Sequence, residues 1–273
     1  DVNRVLKKKF REYSITLRKC ENPQEEKEKM VNEVYEILCK FFGMPPDNFD
    51  WEFIDKDKKY HIIKKLNPIE FYKTHVDFDV NDYICVINDP RNEYNKLYTV
   101  KYLGNVLDGN RVKYLNLPIK RLKELTVSSI KNNESVWFGC DVGQFLHRDK
   151  CSMDFEQVDY LSVLNTSTNM SKKERLEYRD SLMTHAMVFT GVNIQETTNC
   201  LESESLIKNW EVENSWSSHT PLDGYYSMSD DWFSEYTYEI AINKKYLSDE
   251  EKEMLNSKEM KELPPWDPMG ALA

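Results

Sequence analysis

The sequence has six cysteines but no Cys-x-x-Cys pair, no His-x-x-x-His or His-Glu-x-x-His spacing and no regular cysteine framework. That excludes the common zinc motifs and a disulfide-built scaffold, so no metal and no cofactor is expected. The spacing reads as free thiols in a reducing compartment, and the expected location is cytoplasmic. No apolar run approaches the roughly 20 residues that a membrane-spanning helix needs. Residues 1–9, DVNRVLKKK, lack the apolar core of a signal peptide. No membrane partner is expected. An initiating methionine is missing too, which fits a start that lies elsewhere. Positive charge is scarce: 37 Lys and Arg stand against 47 Asp and Glu, a net charge of −10. Such a balance opposes a chain-wide grip on phosphate backbones, so nucleic acid is not an expected partner. One exception, Arg4, Lys7, Lys8, Lys9 and Arg11, reads first as a solvated helix face, with a nucleic-acid patch as the alternative. There is no internal repeat and no low-complexity segment.

What is present falls into three parts. Residues 1–78 read as mainly helical. Asn22-Pro23-Gln24-Glu25 supplies an N-cap, a proline at the first helical position and an early acidic residue, and Met30, Val31, Val34, Ile37, Leu38 and Phe41 follow at helical spacing. Gly43 and Pro45-Pro46 end that helix, and Asn67-Pro68-Ile69-Glu70 starts another. Residues 79–247 read as β-rich. Strands are expected at 83–87, 98–103, 111–115, 136–141, 185–192, 210–214, 225–228 and 236–242, with a turn at Asp108-Gly109. A helix opens at Pro118, and Ser171-Lys172-Lys173-Glu174 is a capping-box pattern. Long loops are expected at 143–170 and 193–209. Residues 248–273 read as a helix capped by Ser248 and an extended tail, whose Trp266, Met269 and Leu272 suggest docking.

Two strands each carry one chemically useful polar residue among apolar neighbours. His185 enters the strand HAMVFTG, and Asn214 closes the strand WEVEN, two residues before Trp216. Taken singly, His185 is more often a structural histidine and Asn214 a turn residue. Taken together they supply an imidazole and the amide that orients it, two parts of a cysteine-protease triad.

These residues carry a resemblance. His185 with its strand and Glu213-Asn214-Ser215-Trp216 are similar to the histidine and asparagine strands of papain-like cysteine peptidases. Residues 137–143 (WFGCDVG), 181–187 (SLMTHAM) and 265–273 (PWDPMGALA) narrow the likeness to the bleomycin hydrolase and aminopeptidase C family, with support from 55–58 and 95–100. The likeness runs over nearly the whole chain and corresponds to the family's C-terminal portion. It implies an α+β papain-like cysteine peptidase, here its barrel-containing half (79–247) with a helical insertion domain (1–78). It further implies peptide substrates, a homohexameric ring, and a terminal tail that reaches the active-site cleft, where the Ala273 carboxylate faces the substrate's free amine. His185 and Asn214 are then catalytic, and Trp216 shields their hydrogen bond from water.

The nucleophile is not among the expected residues. In this family the cysteine opens a helix in a Gln…Cys-Gly-Ser-Cys-Trp context, and none of the six cysteines has that context. Cys85 and Cys140 lie in apolar strands and read as small hydrophobes, with Cys140 kept as a minor candidate. The chain alone is therefore expected to be inactive. The alternatives are a non-catalytic, peptide-binding scaffold or a nucleic-acid-binding protein. One departure stands out: Ser217 follows Trp216 where the family has glycine.

Overall fold

The computed structural model describes residues 1–104, 109–155, 160–167, 170–196, 205–216 and 220–271. The chain forms two compact units, Asp1–Phe78 and Asp79–Ala273.

In the first unit α1 (Val2–Leu17) and α2 (Pro23–Phe42) pair with each other. The Asn22 side chain accepts from the Glu25 amide, Pro23 opens α2, and Gly43 at φ 85° follows its end. Beside its helices the unit holds strands that the mainly helical reading did not include: β1 (Phe49–Ile54) and β2 (Tyr60–Leu66) form an antiparallel hairpin before α3 (Pro68–His75). Phe49, Trp51 and Phe53 alternate with exposed Asp50, Glu52 and Ile54, a period of two that belongs to a strand. The Trp51 and Phe71 rings meet edge-on at 4.8 Å and cover that face with α3.

The second unit runs β3 (Tyr83–Ile87), β4 (Lys96–Val100), β5 (Tyr114–Asn116), α4 (Ile119–Lys131), β6 (Val136–Cys140), β7 (Leu146–His147), β8 (Ser152–Met153), α5 (Tyr160–Leu164) and α6 (Lys172–Glu177). It continues with β9 (His185–Glu196), β10 (Ser205–Glu213), β11 (Tyr225–Ser229), α7 (Asp230–Tyr236), β12 (Thr237–Asn243), α8 (Asp249–Leu255) and β13 (Lys261–Leu263). The strands make one 11-stranded sheet in the order β13-β4-β5-β3-β12-β6-β9-β10-β11-β8-β7. The central run β3-β12-β6-β9-β10-β11 is antiparallel throughout.

Several boundaries differ from expectation. β9 continues to Glu196 and β10 begins at Ser205, so residues 193–196 and 205–209 of the loop expected at 193–209 are paired strand. The loop expected at 143–170 contains β7, β8 and α5. Asp108 lies outside the described residues.

The main core lies where α4 and α7 meet β6, β9 and β10. Phe138 stacks on Phe189 at 3.8 Å, and Phe233 of α7 stacks on Phe189 at 5.1 Å and on Trp210 at 4.7 Å. All four are fully buried, and each such phenylalanine contributes about 1.5–3 kcal/mol by leaving water. A second core joins Met183, Tyr238, Leu176 and Met269. The tail thus docks through Met269, while Trp266, one of the three residues that suggested docking, is 67% exposed. β13 adds to the sheet edge, parallel to β4. Arg91 bridges Asp89 and Asp267 at 2.8 Å each, tying the tail to the end of β3.

Candidate active site

His185 and Asn214 come together because of strand parity and one irregularity. In β9, Met187 and Phe189 point into the core, and His185 shares their face at the strand's first residue. In β10, Trp210 and Val212 point inward, and Asn214 follows on the same face just past the strand's end. The register is Glu211↔Gly191 and then Val212↔Phe189, so one extra residue, Thr190, bulges out of β9. Without that bulge the faces of the two strands would be out of step beyond Glu211. With it, the imidazole and the amide lie on one face at the same end of the hairpin.

The geometry is that of an oriented imidazole. His185 Nε2 lies 2.9 Å from Asn214 Oδ1. An amide oxygen only accepts, so Nε2 carries the proton and Nδ1 is the basic nitrogen. Asn214 is buried, and its Nδ2 has no partner among the described residues. The Trp216 ring lies 5.0 Å from the imidazole, tilted by 36°. Trp216 is itself held by Tyr226, edge-on at 6.1 Å, and by the Arg148 guanidinium, 4.6 Å from its ring centre. Arg148 was not legible in the sequence: it sits in a segment without periodicity, and nothing local links it to Trp216.

The cysteines present the opposite of an activated thiol. Cys140 pairs with His185 across β6 and β9, and its thiol points to the His185 carbonyl oxygen at 3.6 Å, not to the ring. Complete burial, and then the neighbouring Asp141, push that thiol well above its ordinary value. Burial does the same to Cys85, joined by the Glu239 carboxylate. Cys151 is buried, Cys20 and Cys39 lie in the first unit, and Cys200 falls outside the described residues. Ala273, Leu272 and Ser217 also lie outside the described residues, as does His219. Among the described residues no group of three His, Cys, Asp or Glu is placed to hold a metal ion, and no helix is long and apolar enough to cross a membrane.

Comparison with known proteins follows the same line. A profile of the Peptidase C1-like family matches residues 1–270. Bleomycin hydrolase of Mus musculus is 42% identical over 284 residues, covering 100% of this chain and 61% of that protein. Aminopeptidase C of Listeria innocua is 42% identical over 279 residues, with the same coverage of 100% and 61%. The crystal structure of PepW from Lactobacillus rhamnosis HN001 superposes with a TM-score of 0.92 at 41% identity, covering 100% of this chain and 62% of that one. The chain therefore spans about three-fifths of the length of the relatives it matches.

Proposed function

The chain belongs to the Peptidase C1-like family and has its α+β papain-like fold, and from that premise we propose that it is the histidine- and asparagine-bearing portion of a cysteine aminopeptidase. The observation that carries this reading is the 2.9 Å contact of His185 Nε2 with Asn214 Oδ1, under the Trp216 ring. It leaves Nδ1 as the base for a thiol on the part of the relatives' length that this chain does not span. In that scheme Nδ1 takes the thiol proton, and the thiolate sulfur bonds to the scissile carbonyl carbon. The imidazolium then gives its proton to the departing amine as the C–N bond breaks. Water, deprotonated by the same nitrogen, cleaves the thioester and restores the thiol.

The reading extends to the tail. Met269 is buried in the same small core as Met183, two residues before His185, so the last residues start close to the site. The Ala273 carboxylate there would pair with a substrate ammonium group and restrict cleavage to free amino termini. A cytoplasmic homohexamer is part of the proposal on the family likeness. A nucleic-acid role finds less support, since Lys9 of the basic cluster is committed to Glu12 and Glu33.

The test is kinetic. In the complete protein, His185→Ala is expected to lower kcat by several orders of magnitude on aminoacyl-amide substrates. The 273-residue chain alone is expected to show no turnover. Thiol-dependent turnover by this chain, abolished by Cys140→Ala, would transfer the nucleophile's role to Cys140. Light scattering of the complete protein checks the hexamer, and a monomer at micromolar concentration contradicts it.

A further inference from the structure

We propose that Asp141 is a positioning residue for His185, acting through Thr184. The inference rests on the reading of His185 as the general base. Asp141 follows directly on Cys140, the residue of β6 paired with His185. The residue is buried, at 6% exposure, yet its three side-chain donors among the described residues are all neutral. Ser181 Oγ donates to Oδ2 at 2.8 Å, Gln144 Nε2 to the same oxygen at 3.2 Å, and Thr184 Oγ1 to Oδ1 at 3.2 Å.

Proton counting fixes the direction of this network. Ser181 has one hydroxyl proton and gives it to Asp141, so at 2.6 Å the Tyr238 hydroxyl must donate to Ser181. The Lys172 ammonium lies over the Tyr238 ring at 4.8 Å and donates to the carbonyls of Ser234 and Thr237. The network thus starts at the junction of α7 and β12 and ends on Thr184. Thr184 is held twice, by its hydroxyl on Asp141 and by its amide on the Cys140 carbonyl at 2.9 Å. The next residue is His185, whose backbone is placed by that double tether.

A carboxylate suits this task because it only accepts. An asparagine would turn an amide N–H₂ toward hydroxyl donors and leave buried groups unpaired. A buried carboxylate with no cationic partner among the described residues costs stability, so fold stability alone does not account for it. Misplacing a reacting group by about 1 Å costs on the order of 10²-fold in rate, and that is the loss the tether prevents.

The experiment compares Thr184→Val with Thr184→Ser in the complete protein. Thr184 is exposed, so the isosteric valine changes the fold little while removing the hydroxyl. We expect kcat to fall by about tenfold or more, with KM changed less than about twofold and the melting temperature within a few degrees. Serine, which keeps the hydroxyl, is expected to restore kcat to near the wild-type value. Asp141→Asn should follow Thr184→Val, and if it does not fold the Thr184 pair decides. Unchanged kcat in Thr184→Val, or a loss that serine does not restore, overturns the inference. His185→Ala in the same assay separates the two levels: retained activity there removes the general-base reading itself.

Discussion

Asn214 shows what a single residue contributes at this site. Its oxygen holds the imidazole while its buried Nδ2 finds no partner among the described residues. An unpaired buried donor costs about 1–3 kcal/mol, so the residue is poorly explained by stability. Asn214→Ala in the complete protein is expected to free the ring and lower kcat by about 10²-fold with KM little changed. Its melting temperature should not fall, which circular dichroism can check. A variant of full activity would reduce Asn214 to packing. His185, Asn214 and Trp216 were legible in the sequence because each stands at a fixed place relative to an alternating strand. Arg148 and most of the Asp141 network were not, since Trp216, Ser181 and Thr184 lie far along the chain from those residues and no local pattern links them.

At the scale of elements, helix caps are legible in the sequence and strand register is not. The N-cap at Asn22, the capping box of Ser171 with Glu174 and the cap at Ser248 are present as the spacing implied, and Glu251 completes a second box at Ser248. Each involves atoms within one helical turn. Ser248→Ala is therefore expected to destabilise by about 1 kcal/mol, read by urea unfolding. The β1–β2 hairpin is not among the expected elements, although the alternation of Phe49, Trp51 and Phe53 with polar neighbours is present in the sequence. In β12, Glu239 is buried between β3 and β6, and desolvation raises its carboxyl to about 7, against a smaller opposing effect of the Cys85 thiol. The folded state therefore holds a proton that the unfolded chain, with its carboxyl at the ordinary 4.5, gives up. That contribution to stability is complete below 4.5 and is lost as pH rises through about 7. Glu239→Gln should abolish this part of the decline and be more stable than wild type at pH 8. Parallel unfolding curves for the two proteins from pH 4 to 8 would contradict the assignment.

At the scale of the whole second unit, the Arg91 bridge to Asp89 and Asp267 fastens the chain's tail 176 residues from its partner. All three side chains are largely buried. Arg91→Met leaves two buried carboxylates unpaired and is expected to cost about 3–5 kcal/mol. It should also release the tail, seen as faster proteolysis after Leu263. Under the proposed role of Ala273, the same variant of the complete enzyme should discriminate less between free and N-blocked peptides. Undiminished discrimination, with the tail demonstrably released, removes Ala273 from the site.

The sequence by itself determined the chemistry available here: an imidazole at the start of one strand, an amide and a tryptophan just past the end of another, capped helices, and no thiol in an activating context. Those follow from residue type and from neighbours within a few positions. Tertiary structure alone decided that the imidazole and the amide share a face. That outcome depends on the extra residue at Thr190, because the side-chain period of a strand is two and a slip of one residue reverses every side chain beyond it. It also decided which carboxylate tethers Thr184 and which arginine fastens the tail. Such pairings are set by where the sheet places residues far apart in the chain, and no local pattern encodes that distance.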